Sequence, residues 1–154
     1  SKKMPAGTLA EITFSNANGQ IPSSEMMPAL LPEMTSEIIN NLFEKDFTAA
    51  LYYDANGVWP AYILKLKLEA NVVEAQSVLK NLESSLNLSN LFLTAPGTPN
   101  TSGFKEGSVN NKPARYLSFS KKDAALSFTW INDLFLISTN YAGALKIDQN
   151  LKSQ

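Results

Sequence analysis

The period of the hydrophobic pattern changes several times along this chain, and each change marks an element. From Leu9 to Phe14, Ala10, Ile12 and Phe14 alternate with Glu11 and Thr13, the two-residue period of a half-buried strand. The run Asn16-Ala17-Asn18-Gly19 ends it with turn residues. Between Pro22 and Phe43 the period becomes helical. Leu31, Met34, Ile38 and Leu42 fall three and four apart, and Ile39 and Phe43 widen the stripe. Proline suits a first turn but not a helix interior, so Pro28 and Pro32 predict a short helical piece followed by a main helix that begins near Pro32.

A β-hairpin follows. Phe47 to Tyr53 and Val58 to Leu68 are apolar-rich arms around Asp54-Ala55-Asn56-Gly57, with Tyr62, Leu64, Leu66 and Leu68 on one side of the second arm. Asn71 and Glu74 have the spacing of a capping box, and Val72, Ala75, Gln76, Leu79, Leu82 and Leu86 then trace one face of a second helix. Residues 94–113, with three prolines and three glycines, predict a long irregular loop holding at most a short ribbon from Phe104 to Val109. Beyond it, Arg115 to Ser120, Ala125 to Trp130 and Leu134 to Thr139 read as an antiparallel meander. Thr139 or Asn140 then caps a short last helix, in which Gly143 is a weak point. The expectation is one α+β domain over 1–154. Its antiparallel sheet has about five or six strands, two main helices pack on one face, and a short helix closes the C-terminus.

Composition narrows the chemistry more than the fold. The 154 residues include no cysteine, no histidine and a single arginine, Arg115, with a net charge of −1. Thiol catalysis, disulfides, histidine-based triads and histidine-ligated zinc are excluded. A near-neutral, arginine-poor surface also excludes a nucleic-acid partner of the usual kind, which needs a basic excess to neutralise phosphates. No apolar run approaches the roughly 18 residues of a membrane span. No cofactor is expected.

Carboxylates are the remaining catalytic option, since a glycosidase needs only two acids held roughly 5 to 10 Å apart. Glu33 with Glu37, Glu44 with Asp46, and Asp54 are the candidates, although helix starts, helix ends and turns account for each of them. Ser77-Val78-Leu79-Lys80 and Ser118-Phe119-Ser120-Lys121 match Ser-x-x-Lys, but the companion motifs of that chemistry are missing. Aromatic residues offer a binding surface instead. Tyr53, Trp59 and Tyr62 surround the hairpin and Phe104 lies in the long loop, so exposed rings there would bind a sugar, a peptide or a partner protein.

The segments Arg115-Tyr116-Leu117-Ser118-Phe119 and Trp130 to Asn140, followed by Ala144-Leu145-Lys146, resemble uncharacterised extracytoplasmic domains of membrane-anchored bacterial proteins. There, a hydrophobic strand, an Asn-Asp turn and a strand ending in Ser-Thr run into a short helix. The resemblance covers the last quarter of the chain and brings no active-site residues. It implies a transmembrane anchor upstream of Ser1 and a protein or envelope-polymer partner. The leading expectation is therefore a noncatalytic extracytoplasmic binding or scaffold domain of the bacterial cell envelope. The alternatives are a carboxylate-dependent hydrolase of glycan or peptide, and an intracellular assembly or regulatory subunit.

Overall fold

Seven antiparallel strands, one or two more than the pattern predicts, form the sheet at the centre of this chain, in the order β1-β4-β5-β9-β8-β7-β6. The computed structural model describes residues 4–152. Strands β1 (Leu9–Ile12), β4 (Phe43–Asp54), β5 (Gly57–Leu66), β6 (Lys105–Val109), β7 (Lys112–Ser118), β8 (Ala124–Ile131) and β9 (Leu134–Asn140) build the sheet, while β2 (Ser15–Asn16) and β3 (Gly19–Gln20) pair as a separate small hairpin. The extra strand comes from the stretch read as a loop. Its second half is the β6–β7 hairpin, in which Asn110 and Asn111 adopt positive φ of 47° and 67° across a two-residue turn. Asparagine tolerates that conformation, and such turns match the twist of the flanking strands.

Strand alternation sorts the core into two layers. Tyr62 and Leu64 of β5, Leu126 and Phe128 of β8, and Phe135 and Ile137 of β9 face helices α1 (Ser23–Leu30), α2 (Ser36–Leu42) and α3 (Val72–Asn81). Their neighbours Ala61, Ile63, Ile131 and Leu136 face α4 (Tyr141–Lys152), which contributes Ala144 and Ile147. The C-terminal helix is the longest of the four and covers the opposite face of the sheet.

The prolines act differently from the sequence expectation. The main helix starts at Ser36, not near Pro32, because the Thr35 hydroxyl accepts from the Ile38 N–H at 3.3 Å. Pro28 lies inside α1, where its missing N–H would leave the Ser24 carbonyl without a helical donor. The Ser36 hydroxyl donates to that carbonyl at 2.7 Å and so ties α2 to α1. Phe43, read as part of the helical stripe, opens β4 instead, and Leu68 and Leu86 fall beyond their elements and are exposed.

The irregular segment before β6 is held against the end of β7. Pro99 bridges Phe119, the Ser120 N–H donates to the Thr98 carbonyl at 2.8 Å, and the Asn100 side chain donates to Ser118 Oγ and the Phe119 carbonyl. On the α4 side, the Asp148 side chain is fully covered and docks the helix on the β6–β7 turn. Lys112 Nζ lies 2.8 Å from its Oδ1, and the Asn110 amide donates to its Oδ2 at 2.9 Å. Lys152, one turn further along α4, adds a contact at 3.4 Å.

Candidate functional site

The helices do not cover the whole sheet. Strands β6, β7 and β8 form a wing that carries a hollow on each face, both reaching Gly107 and Ala114. On the α3 face lies a groove of about 750 Å³, floored by Phe128, Trp130 and Phe135 of the sheet, walled by Leu79 of α3 and rimmed by Gln76, Lys80, Glu83, Glu106 and Arg115. It exists because α3 is thinly packed. That helix buries only Ala75 and Leu79, and Val72 and Val73 on its first turn are exposed.

Arg115 is the polar anchor of the groove. Its Nε and Nη2 donate to Glu83 Oε2 and Oε1 at 2.9 and 2.8 Å, a two-pronged fork, and Nη2 also reaches the Phe104 carbonyl at 3.4 Å. Hydrogen bonding to Glu83 raises the guanidinium above its already high ordinary value. The fork joins β7 to the short 3-10 turn Leu82–Ser84 that follows α3, and thereby sets the width of the groove.

On the α4 face the hollow is smaller, about 330 Å³, and chemically different. Tyr116, Ser127 and Tyr141 line it with their side chains and Ser108 with its backbone, and no charged side chain does so among the described residues. Ser127 is 5% exposed, and its hydroxyl has no hydrogen-bond partner among the described residues.

The aromatic residues singled out from the sequence are mostly elsewhere. Trp59 and Tyr62 are buried, which removes them from any exposed surface. The Trp59 indole donates to Asp54 Oδ1 at 2.8 Å, and Tyr62 donates its hydroxyl to the Leu91 carbonyl at 3.1 Å. Burial pushes the Tyr62 phenol up to about 12. Tyr53 is half-buried beside the hairpin turn. Of the four, Phe104 alone adjoins the wing, stacked on Phe128 at 5.4 Å.

The candidate acids line neither hollow. Asp54 is taken up by the hairpin, its Oδ1 accepting from the Asn56 and Gly57 N–H groups at 2.8 and 2.9 Å as well as from Trp59. Glu33 accepts from its own backbone N–H, the Ser85 hydroxyl and the Asn87 amide, which together hold its carboxyl below the ordinary value. A general acid needs the opposite shift. Among the described residues, no three acids gather where they could hold a metal.

Sequence reasoning missed Lys80, Glu83, Glu106 and Arg115 as groove residues. One signal was available. Arg115 alternates with Leu117 and Phe119, so it is a lone charge on a strand face that otherwise reads apolar. No family model, curated protein or solved structure matches the chain, and the wing is therefore interpreted from its own geometry.

Proposed function

We propose that this chain is a noncatalytic binding domain that takes an extended segment of a partner protein along the β6 edge and into the groove beneath α3. The observation that carries this reading is the position of the groove beside an unpaired strand edge, with Glu106 and Gly107 belonging to both. A two-residue turn joins Val109 to Lys112, so the N–H groups of Lys105, Gly107 and Val109 face β7 and those of Glu106 and Ser108 face outward. An added strand would pair with these outward groups and lay alternate side chains over the apolar floor. Lys80 and Arg115 balance Glu83 and Glu106 on the rim, which suits a mixed-charge polypeptide and not a polyanion.

Selection from a displayed decapeptide library tests this. Peptides of alternating apolar pattern are expected to bind the wild type and to lose at least about tenfold in affinity against Ser108→Pro, which removes an outward donor at a site where an edge strand tolerates proline. Absence of enrichment, or binding indifferent to Ser108→Pro in a folded variant, would refute the reading. The extracytoplasmic placement is part of the proposal and rests on the resemblance of the Arg115–Phe119 and Trp130–Asn140 segments. A reporter fusion of the full-length gene, active only outside the cytoplasm, tests it.

A further inference from the structure

We infer that the hollow on the α4 face of β6, β7 and β8 is a binding site for a neutral sugar ring. This site is separate from the groove beneath α3 and does not depend on the peptide reading. Three observations converge on it. First, Ser127 Oγ is a buried hydroxyl at the hollow with no partner among the described residues, and a buried polar group left unpaired is costly. A ligand oxygen would supply the missing bond once the side chains above it shift enough to admit it.

Second, two aromatic rings frame the space. The Tyr116 ring occupies the place a side chain at position 107 would take, since a Cβ built on Gly107 would lie 2.7 Å from Tyr116 Cε1. Glycine at 107 therefore lets the ring settle over the outermost strand, where it remains half exposed. Tyr141 is 46% exposed at the first turn of α4, where its N–H donates to the Asp123 carbonyl at 2.8 Å.

Third, the lining is rich in hydroxyls and carries no charge. Ser127, Tyr116 and Tyr141 each both donate and accept. Without a lining cation or anion, the hollow has no counter-charge for an ionic ligand. A purely apolar ligand would leave the Ser127 hydroxyl unpaired. A pyranose ring carries C–H groups that pack on aromatic faces and hydroxyls that pair with serine and tyrosine, so it meets both demands. The volume, about 330 Å³, lies at the small end of the ~300–1,000 Å³ range of ligand sites, as one or two sugar rings require.

The test is an amide-resolved NMR titration of the intact chain with methyl β-glucoside, cellobiose and N,N′-diacetylchitobiose, each to about 50 mM, enough to detect a millimolar Kd. Saturable shifts are expected at Gly107, Ser108, Tyr116, Ser127 and Tyr141 for at least one sugar. Ser127→Ala should weaken that binding roughly five- to tenfold, the share of one hydrogen bond, without loss of fold. Tyr116→Leu, which keeps bulk over Gly107 but removes the aromatic face, should abolish it. Glu83→Gln, on the other face of the sheet, should leave it unchanged. No saturable shift with any of the three sugars overturns the inference. So do shifts located elsewhere, and so does an affinity that Ser127→Ala leaves intact.

Discussion

Asp54→Ala separates a structural aspartate from a catalytic one. In the wild type, Oδ1 accepts from the Asn56 and Gly57 N–H groups at 2.8 and 2.9 Å and from the Trp59 indole at 2.8 Å, while Oδ2 accepts from the Asn140 amide at 3.3 Å. Trp59 is 1% exposed, so truncation at position 54 strands its indole N–H where water does not reach. That loss costs about 2 kcal/mol for a bond to a charged acceptor. The turn N–H groups lie nearer solvent and recover part of their bonding there, adding about 1 kcal/mol. The sum, about 3 kcal/mol, is a large fraction of a typical 5–15 kcal/mol domain stability. At roughly 2–4 °C per kcal/mol for a chain of this size, Tm should fall by about 6–12 °C. Asp54→Asn keeps an acceptor for the turn and the indole but sets an amide against the Asn140 amide, so its loss should be about half as large. Thermal unfolding followed by calorimetry and by tryptophan fluorescence measures both variants. A midpoint for Asp54→Ala within about 2 °C of the wild type would refute the argument and reopen Asp54 as a residue free for chemistry.

Three further outcomes are expected. Asp148→Asn should cost about 2 kcal/mol at neutral pH, because its side chain is fully covered against Lys112 and Asn110. Burial alone would raise the Asp148 carboxyl, but bonding from Lys112, Asn110 and Lys152 outweighs it and holds the group below its ordinary value. The resulting stability is present above the unfolded value of about 3.9 and is lost as pH falls through the folded one. The gap between wild type and Asp148→Asn, measured by urea unfolding, should therefore close in acid, and a gap constant down to about pH 2 would contradict the linkage. Ser127→Ala removes an unpartnered buried hydroxyl and should raise stability by about 1 kcal/mol, or Tm by roughly 2–4 °C; a fall would mean that the hydroxyl is satisfied in solution. Gly143→Ala would improve helix propensity by about 1 kcal/mol, yet its Cβ would sit 3.0 Å from Tyr52 Cβ, and overpacking of that kind costs about 1–3 kcal/mol. A lower Tm is expected, and a higher one would show that Tyr52 yields easily.

Gly143 also shows how far sequence reading reaches. Its place in the helical pattern marks it as a weak point, but only the packing of α4 on β4 shows that a side chain there would press on Tyr52. Local chemistry was legible wherever a few neighbouring residues decide the outcome. The Asp54-to-Gly57 turn, the Asn71 cap of α3 and the three-strand meander belong to that class, as does the α+β class itself. Strand β6 was half legible, because its polar, glycine-containing sequence has little period of its own and it is held by pairing with β7. The start of α2 was misread because the local Thr35 cap was passed over in favour of Pro32, and because the bond from Ser36 to Ser24 depends on where α1 lies.

The candidate sites were not legible, since they are made of distances between segments far apart in the chain. By itself the sequence determined the chemistry on offer: no thiol, no imidazole, one guanidinium, and rings and hydroxyls in abundance. The tertiary structure decided which of these reach a surface. It buried Tyr62 in the α1–α3 core, where strand alternation points it, buried Trp59 against Phe92 and Asp54, and forked Arg115 onto Glu83, thirty-two residues away. It also left strand β6 largely exposed, with a hollow on each face of the β6–β8 wing, because α3 buries only two side chains.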